Sequence, residues 1–163
     1  MKSKFFTVCT AILGILTVVS CSKVTTLSTF YTAKPEFLSD EGDGALILRA
    51  YGKGKNKQDA LDQAQINAVK EIVFNGVAVP GNPMVSRPLL CEVNAHEKYA
   101  TFFNDFFHEN GAYRQFVDYA DAHKGNVDIS WNATQAKVST TIRVERAELK
   151  TFLQKQGIIK STK

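Results

Sequence analysis

The spacing of apolar and polar residues changes period once between residues 44 and 76, GALILRAYGKGKNKQDALDQAQINAVKEIVFNG. Over Ala45–Tyr51 the period is two. Leu46, Leu48 and Ala50 share one face and Ile47, Arg49 and Tyr51 the other, which predicts a strand. Gly52 and Gly54 break the alternation and allow a turn at positive φ. Asn56 then caps a helix, with Asp59 in its first turn where a negative charge suits the dipole. Leu61, Ala64, Ala68 and Ile72 follow at helical spacing, flanked by Ala60 and Val69 and interrupted by Gln65. The row Ala60, Ala64, Ala68 is flat and lets the helix lie close to a sheet. Gly76 is placed to stop the helix.

Downstream, Val77-Ala78-Val79 reads as the start of a strand, and the three prolines of PGNPMVSRP, residues 80–88, argue against regular structure. Leu89–Val93 reads as a short strand or as the entry to a second helix over Ala95–Glu109, which Asn110 and Gly111 would end. That helix carries an aromatic stripe, Tyr99, Phe102, Phe103 and Phe106, with Phe107 beside it. Tyr113–Ala120 is short and aromatic and predicts a strand. Val127, Ile129 and Trp131 alternate, as do Val138, Thr140, Ile142 and Val144, with residues 132–135 as the turn. This is a hairpin whose strands each offer one apolar face to a core. A closing helix spans Arg146–Gln156, with Leu149, Phe152 and Leu153 inward, Gly157 as its stop and Ile158 and Ile159 tucked beneath. The predicted fold class is α+β: a mostly antiparallel sheet with two to three helices packed on one face.

The first twenty residues follow a different logic. Lys2 and Lys4 precede an apolar run of 15 residues, Phe5–Val19, short of the roughly 20 a membrane-spanning helix needs. A basic start, a short apolar stretch and small residues after it predict a secretory signal. The run ends Val18-Val19-Ser20-Cys21, which resembles the bacterial lipobox, where cleavage precedes a cysteine that becomes lipidated. Cys21 is therefore the expected lipidation site, carrying palmitate-type acyl chains. Ser22-Lys23-Val24 lacks acidic residues after the cysteine, which resembles sorting to the outer membrane with the domain facing the periplasm. Residues 21–43 read as the lipidated cysteine and a tether, and residues 44–163 as a single domain.

Charge and candidate chemistry narrow the function classes. Without Lys2 and Lys4, 18 Lys and Arg face 16 Asp and Glu, a net +2 that gives no argument for nucleic acid. With Cys9 in the signal and Cys21 lipidated, only Cys91 remains, so no disulfide forms within the domain; its LLCEV setting predicts a buried hydrophobe. Gly52-Lys53-Gly54 follows a strand, but Lys57 stands where a dinucleotide fingerprint has its third glycine. Lys53, Lys55 and Lys57 near the helix start are a weak anion-site candidate. His96-Glu97-Lys98-Tyr99-Ala100 is not H-E-x-x-H, and His96, His108 and His123 are scattered, so no metal site or cofactor is expected. There is no G-x-S-x-G and no carboxylate pair of glycosidase type.

Three features together resemble one family: a strand ending Tyr51-Gly52-Lys53-Gly54, the Ala60, Ala64, Ala68 helix, and the ending VERAELKTFLQKQGII. The chain resembles the twenty-kilodalton bacterial membrane lipoproteins, and is similar to the N-terminal domain of the flagellar assembly protein T. The resemblance covers residues 45–76 and 136–159, about a third of the chain, and rests on glycine and apolar positions. It implies an envelope lipoprotein without assigned catalytic residues. The leading expectation is thus a non-catalytic cell-envelope lipoprotein, held to the membrane through Cys21, that binds a protein partner or scaffolds an assembly. The alternative is a small apolar ligand held in a pocket lined by Tyr99, Phe102, Phe103 and Phe106; a hydrolase with His96 or His108 as base ranks third.

Overall fold

The structure is a computed structural model that describes residues 34–120, 127–131 and 134–160. Cys21, the signal and His123 lie outside the described residues. The fold is α+β. Five strands, β1 (Glu36–Asp40), β2 (Leu46–Gly54), β3 (Val117–Tyr119), β4 (Asp128–Trp131) and β5 (Ala136–Val144), form one antiparallel sheet in the order β1-β2-β5-β3. β4 also pairs with β5, so β3 and β4 share one edge of it end to end: β3 against Ile142–Val144 and β4 against Ala136–Ser139. The β4–β5 hairpin is the one the alternation predicts. β1 is not: its residues fall in the stretch read as tether, and the register slip between Phe37 and Ser39 hides its alternation. The domain therefore starts before residue 44.

The helix α1 (Lys57–Lys70) crosses β2 and β5 on one face of the sheet. Asn56 caps it, its Oδ1 accepting from the Asp59 N–H at 2.9 Å. Ala60, Ala64 and Ala68 are fully buried against the strands. Gly52 and Gly54 make that contact, and here the sequence expectation fails. Both lie within β2, paired with Val138 and Ala136, and neither is among the glycines at positive φ. What they provide is room: a Cβ on Gly52 would stand 1.9 Å from the Ala60 carbonyl oxygen. Past the last residue of β2 that β1 pairs, the Asn67 amide donates to the Tyr51 carbonyl at 2.8 Å, locking helix to strand.

Beyond Lys70 the helix widens into one π-helical turn, Glu71–Asn75, closed by Gly76 N–H to Glu71 C=O at 2.7 Å, with Gly76 at φ 78°. The Ile72 and Val73 carbonyls then accept from Leu89 and Leu90 as the chain returns. Val77–Val79 does not become a strand, and Leu89–Val93 is irregular. The proline segment does hold one helical turn, α2 (Pro83–Ser86), because Pro83 sits in the first turn, where its missing N–H costs nothing, and Asn82 caps it. The predicted helix over Ala95–Glu109 is two short pieces, α3 (Ala95–Lys98) and α4 (Ala100–Phe106), broken at Tyr99 with φ −110° and ψ 25°. Tyr113–Ala120 is only partly strand: a 3₁₀ turn at Ala112–Phe116 leads into β3. The last helix, α5 (Arg146–Lys155), buries Leu149 and Leu153 and stops before Gly157 as expected.

The core lies between sheet and helices. Leu46, Leu48, Ile142 and Val144 meet Val69, Ile72, Phe103, Phe106, Tyr113, Leu149 and Leu153 there. A smaller cluster, Ala60, Leu61, Ala136 and Val138, sits where α1 begins.

Candidate functional site

The aromatic row, the sequence's candidate ligand or partner surface, is tied into this core by geometry. Phe103 and Phe106 are buried, and Tyr99 and Phe102 half-buried. Phe103 meets Phe74 edge-on at 4.7 Å between ring centroids, and Phe106 meets Phe107 at 4.9 Å, Phe152 at 5.9 Å and Phe116 at 6.3 Å. These spacings are those of mutually packed aromatic rings. The row therefore holds α4 to the 3₁₀ turn and α5; the space between its rings is filled by other rings. Tyr99, at the break, still packs against this core. Its hydroxyl donates to Glu92 at 3.0 Å.

A cleft of about 560 Å³ lies where the Leu46 end of the sheet meets α5. Its walls are the loop before β2, β3, the end of β5 and the first turn of α5. The loop is built tightly: Ala45 N–H donates to Asp43 Oδ1 at 2.9 Å, and Ala147 N–H to the Gly44 carbonyl at 3.1 Å. Gly44 sits at φ 95°, and a Cβ there would meet the Ala147 methyl at 2.7 Å, so only glycine lets α5 start here. Arg143 projects into the cleft and pairs with Asp43 and Glu145. The Arg143 guanidinium, then the Ala45 N–H, hold the Asp43 carboxyl below the ordinary carboxylate range. Asp118 stands opposite Arg143 in the β3–β5 ladder, and Glu148 completes the lining.

Chemically this cleft offers four carboxylates around one arginine whose donors already serve two of them. It contains no serine, cysteine or histidine. Its charge suits a cationic group. Among the described residues no three His, Cys, Asp or Glu side chains stand together as metal ligands. Sequence reasoning did not find this cleft. Asp43 and Arg143 are 100 positions apart, and only the sheet register joins them.

The remaining candidates lie apart. His96 packs on Phe74, with ring centroids 5.2 Å apart, and the break at Tyr99 removes the single helix that would have carried both His96 and His108. Cys91 is exposed, not buried: the chain at 87–94 is irregular, so the apolar run around it does not turn inward as a unit. Lys55 and Lys57 are exposed around the start of α1. Among the described residues, Gln65 Oε1, Tyr113 OH and Thr140 Oγ1 are buried without a hydrogen-bond partner. Exposed large apolar side chains fall mainly in two places: Met84 and Val93, 71% and 85% exposed, around the irregular loop, and Ile129 and Trp131 on β4. No described helix is long and apolar enough to cross a membrane. No family model, curated protein or solved structure matches the chain.

Proposed function

We propose that the chain is a cell-envelope lipoprotein, anchored through Cys21 and without catalysis of its own, that binds a protein partner or scaffolds an envelope assembly. The observation that carries this is the N-terminal pattern: two lysines, a 15-residue apolar run and Ser20 before Cys21. Acylation would give Cys21, at a new N-terminus, a partner in the bilayer. One chain binds membranes marginally, and further chains make the anchor stable.

The packing of Phe102, Phe103 and Phe106 favours this reading over an apolar ligand pocket. A ligand site needs space between the rings, and the ring spacings leave the row closed by Phe74, Phe107, Phe116 and Phe152. The cleft at Arg143 is polar and suits a charged group of a partner better than a hydrocarbon. Met84 and Val93 offer apolar side chains to a protein surface.

The test is metabolic labelling with palmitate, run with cell fractionation. Wild type takes up label and sediments with membranes. Cys21→Ser takes up none and accumulates as precursor or in the soluble periplasmic fraction. Label that survives the substitution, or a mature N-terminus elsewhere by mass spectrometry, refutes the anchor. Crosslinking in cells, then purification from solubilised membranes, should recover a partner with wild type that Asp118→Lys, which reverses one carboxylate of the cleft, loses.

A further inference from the structure

β4 breaks the rule its own sequence sets. Ile129 and Trp131 pair with Val138 and Ala136, so they project from the same face of the sheet as those two residues. Val138 and Ala136 are buried beneath the start of α1. Ile129 and Trp131 stand past the helix, 36% and 63% exposed. Trp131, Ala136 and Gly54 form one row across three adjacent strands. At the usual strand spacing this puts Trp131 roughly 10 Å from the β2–α1 turn. That turn carries Lys55 and Lys57, both exposed. Asp59, in the first turn of α1, is a carboxylate on the same segment. The opposite end of the sheet carries Asp40, Glu41, Asp43 and Glu145 around Arg143, so the exposed lysines near Trp131 stand at the less acidic end.

We propose that this end of the domain, Trp131 and Ile129 with Lys55 and Lys57, docks on the surface of an anionic lipid bilayer. The inference rests on the anchored-lipoprotein reading for where the domain sits. Twelve residues separate Cys21 from Lys34, a reach of at most roughly 47 Å, so an anchored domain stays within touching distance of lipid. Tryptophan suits the headgroup level, where its ring meets acyl chains and its N–H meets water. Lysines beside it meet the negative surface potential. A partner protein would supply apolar surface without requiring the lysines; anionic lipid uses both.

Trp131 is the only tryptophan, so its fluorescence reports this surface alone. Full-length protein purified from cells is reconstituted with vesicles of phosphatidylcholine alone or with phosphatidylglycerol added, each carrying brominated lipid as quencher. With phosphatidylglycerol, Trp131 emission should shift to shorter wavelength and be strongly quenched; with phosphatidylcholine alone it should stay close to its value in water. Each lysine at an anionic surface strengthens docking roughly fivefold, so Lys55→Gln with Lys57→Gln should lower the docked-to-free ratio by about 25-fold. Both positions are exposed, and an unchanged melting temperature verifies that the variant is folded. Equal quenching in both vesicle types, or quenching indifferent to the two substitutions, overturns the proposal. So does a blue shift that follows protein concentration without lipid, which would mark a contact between copies. Flotation on phosphatidylcholine vesicles reads the anchor separately. Flotation without quenching on phosphatidylglycerol sinks this inference alone, and quenching without flotation on phosphatidylcholine sinks the anchor alone.

Discussion

Gly52→Ala should be among the most damaging one-methyl changes in this domain. The new Cβ would stand 1.9 Å from the Ala60 carbonyl oxygen, 2.6 Å from the Ala64 nitrogen and 3.0 Å from the Ala60 carbonyl carbon. All three are backbone atoms of α1, so no rotamer change relieves the contact. Relief requires α1 to lift by roughly 1 Å, and a gap of that size forfeits up to half the dispersion attraction along the contact. The residues that would lose it are Ala60, Leu61, Ala64 and Ala68, which join α1 to β2 and β5. Overpacking usually costs about 1–3 kcal/mol, and a backbone-against-backbone clash belongs at or above the top of that range. For a domain of this size the melting temperature should fall by roughly 10 °C. Gly157→Ala is the control. Gly157 sits at φ 72° with nothing within 4 Å of a Cβ, so it pays only the left-handed penalty of about 1–2 kcal/mol. Thermal and urea melts of both variants decide the matter. A Gly52→Ala melt within 2 °C of wild type, or a larger loss for Gly157→Ala, refutes close approach as the reason for Gly52.

Ala64→Leu enlarges the same contact from the helix side and should cost about 1–3 kcal/mol; an unchanged melt would show that α1 does not seat on the sheet. Phe106→Ala should cost about 3–5 kcal/mol in urea unfolding, because Phe106 is buried among Phe102, Phe107, Phe116 and Phe152. A stable, soluble variant would place the row on the surface. Tyr113→Phe removes a buried hydroxyl without a protein partner and should leave the melting temperature unchanged or raised at pH 7. Burial raises the Tyr113 pKa, so its contribution is intact below the unfolded value near 10 and is lost above it; the variant's advantage should widen in alkali. Asp43 has a lowered pKa, set first by Arg143, so its contribution is present above about pH 4 and disappears as pH falls through the depressed folded value. Asp43→Asn should therefore melt below wild type at pH 6 and converge with it in acid; a constant gap across that range would remove the ion pair as the cause.

Periodicity located the elements whose partners lie nearby. β2, α1, the β4–β5 hairpin and α5 each carry enough turns or alternations to declare a face, and their caps Asn56, Gly76 and Gly157 act as read. It failed where one residue changes the rule. The slip at Leu38 hides β1, and the break at Tyr99 divides a stripe that stays aromatic on both sides of it. Pro83 served as a helix start because Asn82 stood in front of it, a cap that counting prolines overlooks. Gly52 and Gly54 were read for backbone freedom when they supply space, because a glycine's neighbours across a sheet are not visible along the chain. The Arg143 cleft was invisible for the same reason: it is a property of register.

β4 is where these two kinds of information conflict, and the conflict points to function. Alternation promises that Val127, Ile129 and Trp131 cover a core, yet burial deepens only toward Val127, which packs against the small cluster under α1. Nothing in the local sequence marks the transition, since the helix ends its cover by geometry: α1 lies over β2 and β5 and stops short of β4. A chain with no use for Trp131 would gain by placing a polar residue there, because an exposed apolar edge strand invites pairing with other chains. Retaining an indole beside exposed lysines, in a domain whose opposite end is acidic, is consistent with a surface kept for something other than the core. Trp131→Ser therefore separates stability from attachment. It should change the melting temperature little, since the ring is mostly in solvent, while weakening the protection from amine labelling that phosphatidylglycerol vesicles give Lys55 and Lys57, a readout that does not need the indole. A large stability loss on Trp131→Ser would return the residue to the core and leave the lysines without an apolar companion.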